Sequence, residues 1–371
     1  MSDTELRRTP LHAVHRQLGG RMVPFAGYEM PVQYSGVVDE HRTVRNAVGL
    51  FDVSHMGEVE FRGPGASETV DRIVTNHVSR LDDGQACYTV MCKEDGGILD
   101  DLVVYKYSSE RVLICVNAAN RQKDVQWMKT FASDECAIED TSETWAQIAV
   151  QGPKAAELVA QVTSPDPTGL SSYRFIEGRA EGAPALLART GYTGEDGFEL
   201  YVPAERAETV WGALSERGAP LGVKPAGLGA RDSLRLEMCF PLYGNDIDET
   251  TQPYEAGLGW VVKLKKPAEY PGKEALRTAK AEGSRRKLVP LELEAGIARG
   301  GYPVVVDGQP AGRVTSGTKG PSVGRSIALA YVPATHSAVG SQVEIEIRGT
   351  VRPARVVERP FYRRPKPSVG A

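Results

Sequence analysis

Ile98-Leu-Asp-Asp-Leu-Val-Val-Tyr-Lys-Tyr107 is followed by Ser108-Ser-Glu110 and then by Arg111-Val-Leu-Ile-Cys-Val-Asn117. Two apolar runs flanking three polar residues predict an antiparallel hairpin with a short loop. The first run is apolar on both faces, as a buried strand should be, except at Asp100 and Asp101. Two adjacent carboxylates in such a run are costly unless exposed or partnered. The side-chain period of two puts Asp101, Val103 and Tyr105 on one face and Asp100, Leu102 and Val104 on the other. A turn at Ser108-Ser109 sets Asp101 opposite Val116 or Asn117, with Asn117 at its flank. The other reading has Gly96-Gly97 ending a loop, with both acids in water at the strand's start.

On the N-terminal side, Thr9-Pro10 predicts a short helix through Gln17, with Thr as N-cap and Pro in the first turn. A second helix is expected over Val38–Val48, with Gly49 beyond its end. Residues 51–62 read as strand, broken by Gly57, and 66–80 as helix, with Val70, Ile73 and Val74 on one stripe. On the C-terminal side, a helix is expected at 120–131, a strand at 145–151 and a helix at 154–162. Another strand is expected at 197–202 and another helix at 204–217. Strands and helices mix without a regular βαβ repeat, so the fold class is α+β.

Beyond residue 287 the helix signals stop. Residues 288–294, 302–306, 311–315, 326–331, 343–348 and 352–358 are short alternating runs separated by turn markers such as Asp307-Gly308 and Gly349-Thr350. Six short strands at this spacing predict a small antiparallel barrel or sandwich. The domain boundary falls near 280–287.

The chain has 371 residues, with 44 Lys plus Arg against 48 Asp plus Glu, a net charge of −4. That balance gives no footprint for nucleic acid. No run reaches the ~18–20 apolar residues that span a bilayer. Met1–Arg8 has no apolar segment of a secretory signal. Five cysteines without C-x-x-C spacing read as reduced thiols in a cytoplasmic protein rather than a disulfide framework. Six histidines without an H-x-x-x-H pair give no metal site, so no metal is expected.

Two further segments hold candidate chemistry. Gly191-Tyr-Thr-Gly-Glu-Asp-Gly-Phe-Glu199 carries three glycines in seven positions, as where a backbone needs positive φ or approaches a ligand closely. Glu199 follows on a strand, where a carboxylate is either simply solvated or accepts two N–H bonds from an amidine-like edge. Gly227-Leu-Gly-Ala-Arg-Asp-Ser-Leu-Arg-Leu-Glu237 reads as a loop entering a helix, with Arg231 in its first turn and Arg235 one turn on. Each arginine either makes a surface ion pair or clamps a carbonyl or carboxylate. Tyr88, Tyr105, Tyr173, Tyr192, Tyr243, Tyr254 and Trp260 are candidates for stacking on a flat ligand.

Taken in order, these segments resemble the glycine cleavage system T-protein (aminomethyltransferase) family. The resemblance also rests on Thr9-Pro-Leu-His, Val23-Pro-Phe-Ala-Gly, Met30-Pro-Val-Gln-Tyr, Gly49-Leu-Phe-Asp-Val-Ser-His-Met56, Val116-Asn-Ala-Ala-Asn, Leu242-Tyr-Gly-Asn-Asp-Ile-Asp-Glu249 and Val314-Thr-Ser-Gly-Thr. It implies a three-lobed folate-binding fold. One interrupted domain takes 1–50 plus 140–240, a second, inserted lobe takes 51–139 plus 241–280, and a C-terminal β-barrel takes 285–371. It implies transfer of the aminomethyl carbon from the lipoylated H-protein to tetrahydrofolate, giving ammonia and 5,10-methylenetetrahydrofolate. Tetrahydrofolate is then the co-substrate and the lipoylated H-protein the partner.

Carried over residue by residue, the resemblance makes Asp101 the essential carboxylate. Glu199 and Arg231 hold the pterin edge, and Met56, Tyr88, Asn117, Tyr173 and Tyr192 are further folate contacts. Tyr362 or Arg363 near the chain's end approaches the site. Met238-Cys239-Phe240 departs from the small residues usual after Arg-Leu-Glu, which bears on local packing. Two relatives compete with this reading. A tetrahydrofolate-dependent demethylase shares the folate residues but needs no lipoyl carrier. A non-enzymatic folate binder carries a Lys-Gly-Cys-Tyr-x-Gly-Gln-Glu motif, which this sequence lacks.

Overall fold

The computed structural model describes residues 5–364; residues 1–4 and the end of the 285–371 range lie outside the described residues. The hairpin forms as strands Ile98–Ser108 and Arg111–Val116. Val103 faces Cys115 and Val104 faces Ile114, so continuing the register sets Asp101 against Asn117. The five-stranded sheet runs in the order Gln85–Cys92, Ile98–Ser108, Arg111–Val116, Gly57–Arg62, Ala137–Asp140. Leu102 and Val104 sink into its core with Val59, Ile114 and Met91. That leaves the Asp101 side of the strand to face the rest of the molecule.

A seven-stranded sheet stands opposite, in the order Thr163–Ser164, Phe175–Ala180, Ala183–Ala188, Gly197–Pro203, Trp145–Gln151, Val48–Asp52, Val223–Pro225. Its apolar face packs on helices Ala155–Val162 and Ala207–Gly218 through Leu158, Val159, Val210, Trp211 and Leu214. Apolar burial of this kind contributes roughly 25 cal/mol per Å².

The six expected C-terminal strands form, and close into an antiparallel barrel. Closure removes free edges. The class is α+β with a C-terminal barrel, as the strand spacing predicted. No helix among the described residues is long and apolar enough to cross a membrane.

Several local expectations fail for physical reasons. Thr9 does not cap a helix: its hydroxyl donates to Asp52 at 2.7 Å, and the helix starts at His12. The second helix is Val37–Asn46. Gly49 lies beyond that helix's end, as expected, and sits inside a buried strand, where a Cβ would fall 2.4 Å from Val44. The 66–80 helix stops at Asp71, whose carboxylate takes the backbone N–H groups of Val78 (2.5 Å) and Ser79 (3.2 Å) and turns the chain. Arg21–Phe25 and Tyr28–Gln33 pair as a hairpin despite Pro24 and Pro31, a two-stranded unit with edges to spare for proline.

Candidate active site

The two sheets enclose a cavity of about 940 Å³, counting the part open to solvent. The hairpin sheet contributes Asp101, Val103, Tyr105, Cys115 and Asn117; the seven-stranded sheet contributes Gln147, Ala149, Glu199 and Tyr201. Arg231 enters from helix Leu228–Glu237. Eight of the residues singled out by the resemblance, Met56, Tyr88, Asp101, Asn117, Tyr173, Tyr192, Glu199 and Arg231, line this one space. The volume suits a drug-sized ligand.

At one end, Asp101 accepts from Tyr88 Oη at 2.9 Å and from Asn117 Nδ2 at 2.8 Å. Behind it Asp100 is buried and accepts from Asn117 N (3.0 Å), Asn117 Nδ2 (2.9 Å) and Asn120 Nδ2 (2.6 Å). Neither acid stands in bulk water, so the solvent-exposed reading of this pair fails. Burial, then the charge of Asp100, push the Asp101 carboxyl up to about 7. Asp124, from helix Arg121–Lys129, is the neutral member of the group: burial first, and Asp100 second, push it up to about 11. Both of its oxygens are buried without a hydrogen-bond partner among the described residues, beside Asp100. The three acids titrate as a set.

At the other end, Glu199 accepts from Gln147 Nε2 at 2.9 Å and Thr190 Oγ1 at 2.5 Å. Burial raises its pKa, against the opposing pull of Thr190 and the Arg231 charge. Arg231 makes no ion pair among the described residues; its guanidinium lies 4.6 Å from the centroid of the Tyr192 ring. Tyr192 is in turn stacked on Phe240 at 5.8 Å and donates to the Pro241 carbonyl. An anchored carboxylate and a free cation on an aromatic face can grip a flat heterocycle by its amidine edge and its carbonyl. The residues present therefore fit a pterin.

Other candidates have structural work instead. Arg235 is buried and pairs with Asp246 at 2.5 Å, while Ser316 of the barrel accepts from it at 2.8 Å. It ties the barrel to the helix and is neither a surface pair nor a ligand clamp. The glycines of 191–199 serve internal packing and, at Gly194, a positive φ of 81°. A Cβ at Gly191 or Gly197 would strike the Gln151 side chain at 2.1 and 2.4 Å, and at Gly194 it would strike Met238 at 2.4 Å. The Met238-Cys239-Phe240 departure thus packs directly behind the loop and Tyr192. Of the aromatic candidates, Tyr105 and Tyr243 line the cavity, while Tyr254 and Trp260 do not.

Neither Tyr362 nor Arg363 lines the cavity. Tyr362 lies 3.8 Å from the guanidinium of Arg45, which donates to Thr193 O (2.7 Å) and Glu195 (2.9 Å) in the 191–199 loop. Arg363 pairs with Glu358 on the surface. Gln147 and Thr190, which hold Glu199, escaped the sequence reading. Gln147 and Gln151 sit two periods of two apart in an otherwise apolar strand, and that alternation was the available signal.

The family model described as GCVT N-terminal domain matches residues 11–266, and that described as Glycine cleavage T-protein C-terminal barrel domain matches 286–363. The aminomethyltransferase of Rubrobacter xylanophilus is 51% identical over 361 residues, 97% of this chain and 95% of its own length. That of Symbiobacterium thermophilum is 48% identical, covering 97% and 98%. The crystal structure of the glycine cleavage system aminomethyltransferase T from Bartonella henselae superposes with a TM-score of 0.91 at 34% identity. It covers 97% of this chain and 99% of that one.

Proposed function

The chain belongs to the glycine cleavage T-protein family, and from that membership we propose that it transfers the aminomethyl carbon of a lipoylated carrier protein to tetrahydrofolate, releasing ammonia. The observation that carries this reading is the desolvated Asp101 carboxyl at one end of the cavity whose other end holds Glu199 beside the unpaired Arg231. Tetrahydrofolate, when bound, supplies the amine nitrogen that takes up the carbon.

The chain's own residues do the rest. Glu199 and Arg231 take the pterin edge, with Tyr192 supporting the guanidinium. Tyr88 and Asn117 aim the Asp101 carboxyl, which orients the reacting amine and accepts its proton. A base whose pKa lies near 7 is half available at neutral pH and strong enough to take a proton, the best compromise for general-base work. Fixing both reactants against one wall supplies up to ~7–11 kcal/mol of the barrier reduction. Met56 and Tyr173 are further folate contacts in this reading. The five cysteines, unpaired among the described residues, suit a reducing cytoplasm.

The test is to mix the protein with tetrahydrofolate and aminomethylated lipoyl H-protein and measure ammonia and methylenetetrahydrofolate together. Equal amounts of both are expected. Folate binding without ammonia would overturn the reading in favour of a demethylase or a non-enzymatic binder.

A further inference from the structure

Strands Trp145–Gln151 and Gly197–Pro203 run antiparallel, with Gln147 opposite Tyr201 and Ala149 opposite Glu199. Gln147 and Glu199 are therefore diagonal neighbours on one sheet face, within reach of long side chains. Gln147 is 2% exposed, so its amide has to find its partners inside the protein. It is fully committed. Nε2 donates one hydrogen to Glu199 Oε1 and the other to Tyr201 Oη, both at 2.9 Å, and Oε1 accepts from the Cys115 thiol at 3.7 Å. The amide cannot turn over: an ionised carboxylate only accepts, so a flipped Gln147 would set oxygen against oxygen. The backbone of Gln147 is pinned as well, its N–H donating to Ser54 Oγ and its carbonyl accepting from Val53 N, both at 3.0 Å.

The rest of the network runs in one direction. Tyr201 Oη, having accepted from Gln147, donates to Tyr105 Oη at 3.0 Å. Thr190 Oγ1 donates to the second Glu199 oxygen. Each oxygen of Glu199 thus takes one donor from the protein and keeps a lone pair for the cavity it lines. Of the other groups that face Glu199, Arg231 is a permanent cation, and burial pushes the Tyr105, Tyr173, Tyr201 and Cys115 ionisations upward, away from neutral pH. Glu58 stands behind Cys115 and Tyr201.

We propose that Gln147 is a positioning residue that holds Glu199 as an acceptor on both oxygens, so that this end of the cavity selects a heterocycle presenting two adjacent N–H donors. The proposal rests on the tetrahydrofolate reading above. Gln147 has no hydrogen left to donate to a ligand, so it acts through Glu199, at the end of the cavity away from Asp101. Its loss shows in folate binding rather than in turnover.

Gln147→Met roughly keeps the volume and removes both donors. With it, the tetrahydrofolate KM is expected to rise about tenfold, the share of one hydrogen bond to a charged group, with kcat within twofold. Gln147→Glu sets a carboxyl against a carboxyl, and one proton shared by the pair restores the lost donor. Its tetrahydrofolate Kd should approach that of the unsubstituted protein near pH 5.5 and weaken about tenfold by pH 8, as that proton leaves. The unsubstituted protein, whose Glu199 ionises over the same range, should hold or gain affinity. Glu58 is common to all three proteins and cancels from the comparison. A folded Gln147→Met protein with unchanged folate KM, or a kcat that falls in step with the melting temperature, would overturn the proposal. So would a Gln147→Glu protein whose affinity follows the unsubstituted pH trend. Unsubstituted protein that binds no tetrahydrofolate would instead overturn the reading beneath it, so the two failures are distinct.

Discussion

Asp52 and Asp101 are both enclosed carboxyls on sheet strands of one chain, and their surroundings drive them in opposite directions. Asp52 accepts from Thr9 Oγ1 (2.7 Å) and Ser54 N (2.9 Å) and pairs with His15 Nε2 (2.8 Å), itself held by Tyr34 Oη. Burial alone would raise its pKa, but His15, Ser54 and Thr9 together bring it below the usual range. Asp101 has comparable hydrogen bonds from Tyr88 and Asn117, yet its nearest charged neighbour is another acid and its pKa rises. Burial sets the scale of the effect in both; the sign of the neighbouring charge decides the direction. The first arrangement fastens the N-terminal helix to a strand. The second stores a group that is ready to take a proton.

The comparison breaks most decisively at Asp101 itself. Asp101→Asn is expected to lower turnover by about 10²–10⁴-fold, the share of a positioned proton acceptor, with folate affinity changed only a few-fold. Steady-state kinetics beside folate titration check this.

The stability signs should oppose each other. Asp52→Ala removes one half of a buried pair and should cost about 3–5 kcal/mol, read by denaturant unfolding. Because the folded pKa of Asp52 is depressed, its contribution is present above the unfolded carboxylate value. It is lost as pH falls through the lower folded value, so the gap between wild type and variant closes in acid. Asp101→Asn should stabilise instead. A raised folded pKa costs stability increasingly from about pH 4 to 7, so the variant's advantage should grow over that window. It should level off on the order of 1–2 kcal/mol, since the residue is only partly buried. Equal signs for the two variants, or parallel pH slopes, would contradict this account.

Two smaller effects sharpen it. Asp100→Asn removes the like charge behind Asp101 and should move the acid inflection of the pH–rate profile down by about one unit. Tyr362→Leu frees Arg45 from its aromatic partner and loosens the 191–199 loop that carries Tyr192. A cation–π contact of ~0.5–2 kcal/mol translates to about a 2–30-fold rise in folate KM with kcat little changed, and Tyr362→Phe should restore it.

Much of this was legible from residue order, for identifiable reasons. The barrel strands and the hairpin are short alternating runs between turn residues, and period and punctuation suffice for those. Asp101 stood out because a carboxylate pair in an apolar strand violates its own pattern. Glu199 and Arg231 were legible from pattern only as residue types and were paired by the family resemblance alone, since they come from separate elements and line one cavity. Asp124 was not legible at all: an acid in a short helix looks solvated until the fold lays it against Asp100. Thr9 had the sequence of a helix cap, and a tertiary partner 43 positions away outcompeted the local one. The strands around Pro24 and Pro31 were hidden by residues that penalise interior strands, and they form because this hairpin stays outside the larger sheets.

The most direct test of the central claim is the pH dependence of a single turnover, ammonia release from aminomethylated H-protein with tetrahydrofolate saturating. The rate should rise through an inflection near pH 7, and Asp101→Asn should leave a low rate without that inflection. A wild-type profile flat from pH 5 to 9, or an inflection that survives in Asp101→Asn, would show that this carboxyl does not take the proton.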